Sequence, residues 1–78
     1  MNVLKAMQDT TRIAFERCMK GEGSLSYEHI AGMQITMQES EMSYGKMCRW
    51  LGWAQCAVVA SGVATLDDMK AINTLNKA

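Results

Sequence analysis

The sixteen residues from Met47 to Gly62, MCRWLGWAQCAVVASG, carry a single charge, Arg49. A stretch with almost no wet face has to be covered from several sides, and that demand constrains the fold more than any other part of the chain. On a helix, at roughly 100° per residue, Met47, Leu51, Ala54 and Val58 share one stripe, while Trp50, Trp53, Ala57 and Ala60 share the next. Cys48, Cys56 and Val59 widen the apolar surface, which leaves Arg49, Gly52 and Gln55 for water. A helix apolar almost all round is central to its domain or shared between chains. Gly52, Cys56 and Ala60 recur at intervals of four, a row of small side chains along which another helix backbone can approach, so this row is the expected packing seam.

Length sharpens the demand. A chain of 78 residues makes one small domain, residues 1–78, with little stability to spare, and domains of this size commonly rely on a staple, a metal or a partner subunit. The cysteine count is three, an odd number, and the first residues show no secretory pattern, so disulfides are not the expected staple. Free thiols fit a reducing cytoplasm. Lysines and arginines number eight and are balanced by eight acids scattered among them, which leaves no basic face for a phosphate backbone and disfavours nucleic acid as a partner. The apolar run is shorter than the ~20 residues that span a bilayer and is interrupted by Arg49 and Gln55, so no membrane partner is expected. Proline is absent and the apolar content is carried by helix formers such as alanine, methionine and leucine. The expected class is all-α, a small helical bundle of three to four helices.

Apolar spacing predicts a first helix over about Asn2 to Lys20, with Leu4, Met7, Thr11, Ala14 or Phe15, and Cys18 on one stripe. Opposite charges three or four apart (Asp9 with Arg12, Arg12 with Glu16, Glu16 with Lys20) are expected on its solvated side. Gly21 in GEGS can close this helix in the left-handed conformation, and Ser24 or Ser26 can cap the next. A second helix is predicted over Ser26 to Met42, burying Ile30, Met33 and Met37 with Ala31, Ile35 and Met42 beside them. A break is expected near Ser43, one bent helix from Ser26 to Ala60 being the alternative. After Met47 to Ala60, Gly62 ends the helix and Val63 supplies an apolar contact. Thr65 then caps TLDDMKAIN, with Asp68 in the reciprocal position of a capping box and Leu66, Met69, Ile72 and Leu75 on the buried side. The short connection predicts a C-terminal antiparallel helical hairpin.

RWLGWAQCAVVASGVATLDDMKAIN, Arg49 to Asn73, combines an aromatic-Leu-Gly-aromatic helix, a glutamine, a glycine turn and a threonine-capped acidic helix. Over this last third the chain resembles small all-helical accessory proteins of tailed bacteriophages and prophages. The resemblance implies a protein of the host bacterial cytoplasm that binds and modulates or inhibits a host or viral protein. The first 45 residues resemble nothing in particular.

Residues that carry chemistry are few. Cys18, His29, Cys48 and Cys56 are the supply for a zinc site, one per segment except a pair eight apart, and the cysteines are better read as small buried hydrophobes. His29 with a cysteine and Asp9 or Glu28 forms no recognised nucleophile motif. GEG lacks the strand and the lysine-serine pair of a phosphate loop, and Glu39 and Glu41 point to different sides of a helix. Neither a metal, a cofactor nor an enzymatic activity is expected. Lys46 and Arg49 beside Trp50 can form a small basic-aromatic spot for an anion or an acidic partner. Seven internal methionines fill core gaps or give an adaptable contact surface. YEHIAGMQITMQ has the faint outline of a helix-turn-helix, which keeps a DNA-binding regulator as the alternative, although its reading positions offer no lysine or arginine. The leading expectation is a homo-oligomeric, protein-binding accessory protein with Met47, Trp50, Leu51, Gly52, Trp53, Cys56 and Ala60 at the interface, the two tryptophans as its anchors, one in the hairpin core and one across the seam.

Overall fold

Asn2 opens the first helix: its side chain accepts a hydrogen bond from the Lys5 backbone amide at 3.0 Å, and α1 runs Val3–Glu16. The computed structural model describes residues 1–77, whose regular structure is all helical: α1, then α2 (Tyr27–Glu39), α3 (Tyr44–Ala60) and α4 (Leu66–Leu75), with a 3-10 turn at Gly23–Leu25 between the first two. The chain is therefore a small all-α bundle, with four α-helices among the described residues, at the upper end of the predicted count.

α1 stops about a turn earlier than its apolar spacing predicts. Cys18 takes a left-handed φ of 55°, its amide donates to the Phe15 carbonyl at 3.2 Å, and the Met19 amide donates to the Ala14 carbonyl at 2.8 Å. Two carbonyls orphaned at the helix end are thus satisfied, and Met19 is buried beside them. Cys18 accordingly performs the closure expected of Gly21 and is exposed instead of lying on the buried stripe. Gly21 is required for another reason, since a Cβ there would stand 2.2 Å from the Leu25 carbonyl oxygen.

Local capping fixes the remaining helices. Ser26 accepts from the His29 amide at 3.1 Å, and Ser43 accepts from the Lys46 amide at 3.2 Å, so α2 and α3 are separate helices broken where the serines predict. α2 continues through Gly32 without a turn, which removes the helix-turn-helix outline from that stretch. Gly62 closes α3 at a φ of 85°. Thr65 and Asp68 form the reciprocal box at 2.9 and 3.1 Å, and Arg17 donates to Asp68 at 3.1 Å and to the Val63 carbonyl at 3.0 Å, pinning the end of α1 to the α3–α4 turn.

The central helix is α1, where the apolar pattern pointed to α3. α1 lies against all three other helices, and half of its residues are buried. Met7 shares one buried core with Ile30 and Met37 of α2, Leu51, Ala54 and Val58 of α3, and Met69 and Ile72 of α4. Every internal methionine is buried or half-buried, so these side chains fill the core and form no open methionine face. Ala14 is buried while Phe15 is 67% exposed, and Ile35, Leu66 and Leu75 also stand outside the core, against the stripes drawn for them.

A polar layer crosses this core. Asp9, expected in a solvated row, is 1% exposed. It accepts from Lys5 at 2.5 Å and from the Asn76 side chain at 2.9 Å, with Arg12 at 3.2 Å. Burial alone pushes its carboxyl up. The hydrogen bonds from Lys5 and Asn76 and the charges of Lys5 and Arg12 together outweigh that and hold it below the ordinary carboxylate value. Of the three predicted ion pairs along α1, only Asp9–Arg12 forms among the described residues. Thr11 pairs with Gln34 of α2, and Gln8 donates to Gln38 at 3.1 Å. Among the described residues no buried side-chain nitrogen or oxygen is left without a partner.

Candidate interaction surface

α3 spends part of its circumference on the core and leaves the rest apolar. Leu51, Ala54, Gln55, Ala57 and Val58 are buried, whereas Gly52, Trp53, Cys56 and Ala60 face outward, with Lys46 and Arg49 exposed at the N-terminal end of the same face. The predicted row of small residues is therefore open. Of the other residues predicted for an interface, Leu51 turns inward to the chain's own core, and Met47 and Trp50 are half-buried.

The tryptophans divide differently from the expected pair of anchors. Trp50 lies beside α2, where it lines a shallow hollow with His29 and Gly32, and the Lys46 ammonium stands 5.4 Å from its ring. Trp53 is 43% exposed, and its indole N–H donates to the Ser24 carbonyl at 3.1 Å. Neither tryptophan enters the interior of the α3–α4 hairpin.

That hairpin is open. α4 rests on α1, and close backbone approach between α3 and α4 is sparse by comparison. The tie between the two is an amide pair: the Gln55 amide donates to Asn73 Oδ1 at 2.9 Å, and the Asn73 amide donates to Gln55 Oε1 at 3.1 Å. Gln55 also reaches Thr10 of α1 at 3.2 Å. It is buried, not turned to water as the apolar stripes implied, because only the folded chain brings Thr10 and Asn73 to it. Above this pair runs a groove of about 450 Å³, with Gly52, Cys56 and Ala60 on the α3 wall and Leu66, Met69 and Lys70 on the α4 wall. Leu66, 61% exposed, continues the apolar surface beyond the turn.

Charge on α3 is one-sided, whereas α4 opens with Asp67 and Asp68 and carries Lys70 on the groove wall. α3 contains Lys46 and Arg49 and no acidic residue. Among the described residues, Lys46, Arg49 and Lys70 belong to no ion pair, the pairs being made by Lys5, Arg12 and Arg17. Cys56 and Cys18 are exposed, against the expectation of small core residues, while Cys48 is half-buried and packs against the core. No three His, Cys, Asp or Glu side chains gather into a metal-sized cluster among the described residues.

Fold and surface together define a small all-helical bundle with an open apolar flank, Lys70 on its groove wall and Lys46 and Arg49 near the start of α3. No family model matches the chain, and neither a curated protein nor a solved structure matches it. Among the described residues, no helix is long and apolar enough to cross a membrane.

Proposed function

We propose that the chain is a small non-enzymatic accessory protein of the phage type, which assembles with copies of itself through the outward face of α3 and modulates or inhibits a host or viral protein by covering part of its surface. The observation that carries this reading is the open face itself: Gly52, Cys56 and Ala60 face Leu66 across the groove, and Trp53 is exposed beside them on α3, on a chain that has already closed its own core. Exposed apolar patches of this kind mark protein contacts. Gly52 adds to it. A Cβ at Gly52 meets nothing within 4 Å, yet a glycine inside a helix costs about 1 kcal/mol relative to alanine, a cost that nothing inside the chain requires.

The same open space makes Gly52→Leu an informative variant, because a Cβ at Gly52 meets nothing within 4 Å and the residue borders the open groove. Light scattering behind a sizing column, at two concentrations under reducing conditions, is expected to give a mass above one chain for the wild type and a lower mass for Gly52→Leu, with helicity unchanged. A wild type that stays monomeric at both concentrations overturns the assembly. Binding to the target is then expected to use the faces that assembly leaves open.

A further inference from the structure

We propose that the outward face of α3 in one copy receives the outward face of α2 from the next, so that the copies join head to tail. This rests on the reading above, that copies meet on the outward face of α3, and it names the surface that arrives there.

Charge makes the choice. α3 carries two bases and no acid, whereas α2 carries Glu28 and Glu39 and no lysine or arginine, and Glu41 follows it. Laid parallel on a second α3, the face would bring bases to bases, and laid antiparallel it would set Lys46 and Arg49 against the uncharged C-terminal half of that helix. Laid on α2, it meets acids. The shape of α2 suits the groove as well: Glu28, Gly32, Ile35 and Glu39 succeed one another at intervals of three and four on its exposed side, an apolar and small centre with an acid at each end. Ile35 is 52% exposed, and a Cβ at Gly32, like one at Gly52, meets nothing within 4 Å. Glu28 and Glu39 are eleven residues apart, about 16 Å along the helix axis. The bases available to meet them are Arg49, one turn before Gly52 on α3, and Lys70 on the α4 wall of the groove. Among the described residues none of Glu28, Glu39, Lys46, Arg49 and Lys70 has an ion-pair partner within the chain.

Joining unlike faces leaves one of each free on every pair, so the assembly closes as a ring or grows as a filament instead of stopping at a two-fold dimer. Electrostatic rims are screened within about 10 Å at 0.1 M salt, so the assembly weakens as salt is raised.

Two double variants test this, Lys46→Glu with Arg49→Glu, and Glu28→Lys with Glu39→Lys. All four positions are exposed, and circular dichroism checks that both variants keep the wild-type helicity. By light scattering, the wild type is expected to increase in mass with concentration and decrease with added salt. Each double variant alone is expected to be monomeric, and an equimolar mixture, in which reversed faces again find opposite charges, is expected to recover masses above one chain. A Glu28/Glu39 variant that keeps the wild-type mass, or a mixture that stays monomeric beside an assembling wild type, overturns the head-to-tail arrangement while leaving the α3 contact standing. A wild type monomeric under all conditions overturns both.

Discussion

Replacing Asp9 by asparagine tests whether the polar layer under α1 is held by charge. The carboxylate is 1% exposed and gathers Lys5 at 2.5 Å, Asn76 at 2.9 Å and Arg12 at 3.2 Å. A buried pair broken on one side costs about 3–5 kcal/mol. Here the Lys5 and Arg12 side chains are 47% and 57% exposed, so water compensates much of what they lose, and exposed pairs contribute about 0.2–1 kcal/mol. The Asn76 bond lies inside, where a hydrogen bond to a charged group contributes about 1.5–3 kcal/mol. Asparagine keeps one acceptor but turns an amide toward one of the donors, so the net loss is expected near 2 kcal/mol. That is a large share of a domain whose stability, at roughly 0.05–0.15 kcal/mol per residue, is about 4–12 kcal/mol. The folded-state carboxyl sits below its ordinary value, so its contribution is fully present above the unfolded carboxylate range, near pH 4, and is lost as pH falls through the lower folded value. Urea melts at low protein concentration should show the gap between wild type and variant intact at pH 7 and narrowing below about pH 4. Asp68, also held low by the Thr65 amide and Arg17, is common to both proteins and cancels in the difference. A gap under about 0.5 kcal/mol at pH 7, or one that stays constant down to about pH 2, refutes a charge-held Asp9.

Other predictions follow from the same geometry. A double-mutant cycle of Gln55→Ala and Asn73→Ala is expected to show coupling of about 1–2 kcal/mol by urea denaturation, because two hydrogen bonds join the pair. Cys18→Gly should raise stability by about 1 kcal/mol, since a left-handed φ of 55° penalises a residue with a Cβ, and a thermal melt no higher than wild type would count against that closure. Trp53→Ala is expected to cost about 1 kcal/mol of folding stability, well under the 3–5 of a fully buried aromatic, while lowering the assembled mass in light scattering. A thiol reagent should modify exposed Cys56 faster than half-buried Cys48, and its rate at Cys56 should fall as protein concentration rises, which peptide mapping by mass spectrometry can follow.

The helix boundaries that sequence made legible are those set by local chemistry. Ser26, Ser43 and Thr65 cap where a small hydroxyl precedes an apolar period, and Gly62 ends α3 because a left-handed residue is needed there. What sequence hid depends on partners far along the chain. Asp9 and Arg12 have the spacing of a solvated pair, and only Asn76, which donates to Asp9 from the other end of the chain, turns that carboxylate into a buried one. Gln55 looked like the wet side of an apolar helix until Thr10 and Asn73 came to it. Asn73 and Asn76, one turn apart after the buried Met69 and Ile72, were the available signal, since polar amides continuing a buried stripe imply polar partners inside. Cys18 gave no such signal, because the left-handed closure favours glycine and a glycine stood three residues on.

The apolar stretch from Met47 to Gly62 posed a demand for cover, and the fold meets only part of it within one chain. The accessible surface is 4734 Å², against roughly 4700 Å² from the usual scaling for a folded monomer of this mass, so the core is closed without a second copy. Shortage of cover is therefore not what points to association. The pointer is where the leftover apolar surface lies: in a groove between two helices joined by an amide pair, with small residues on the α3 wall and Lys70 on the α4 wall. A side chain begun at Gly52 would meet nothing in the monomer within 4 Å of its Cβ, and helix propensity would favour replacing the glycine. A chain that keeps glycine and cysteine there retains room for another helix, and the acid-ended row on α2 is the surface of matching chemistry within the same sequence.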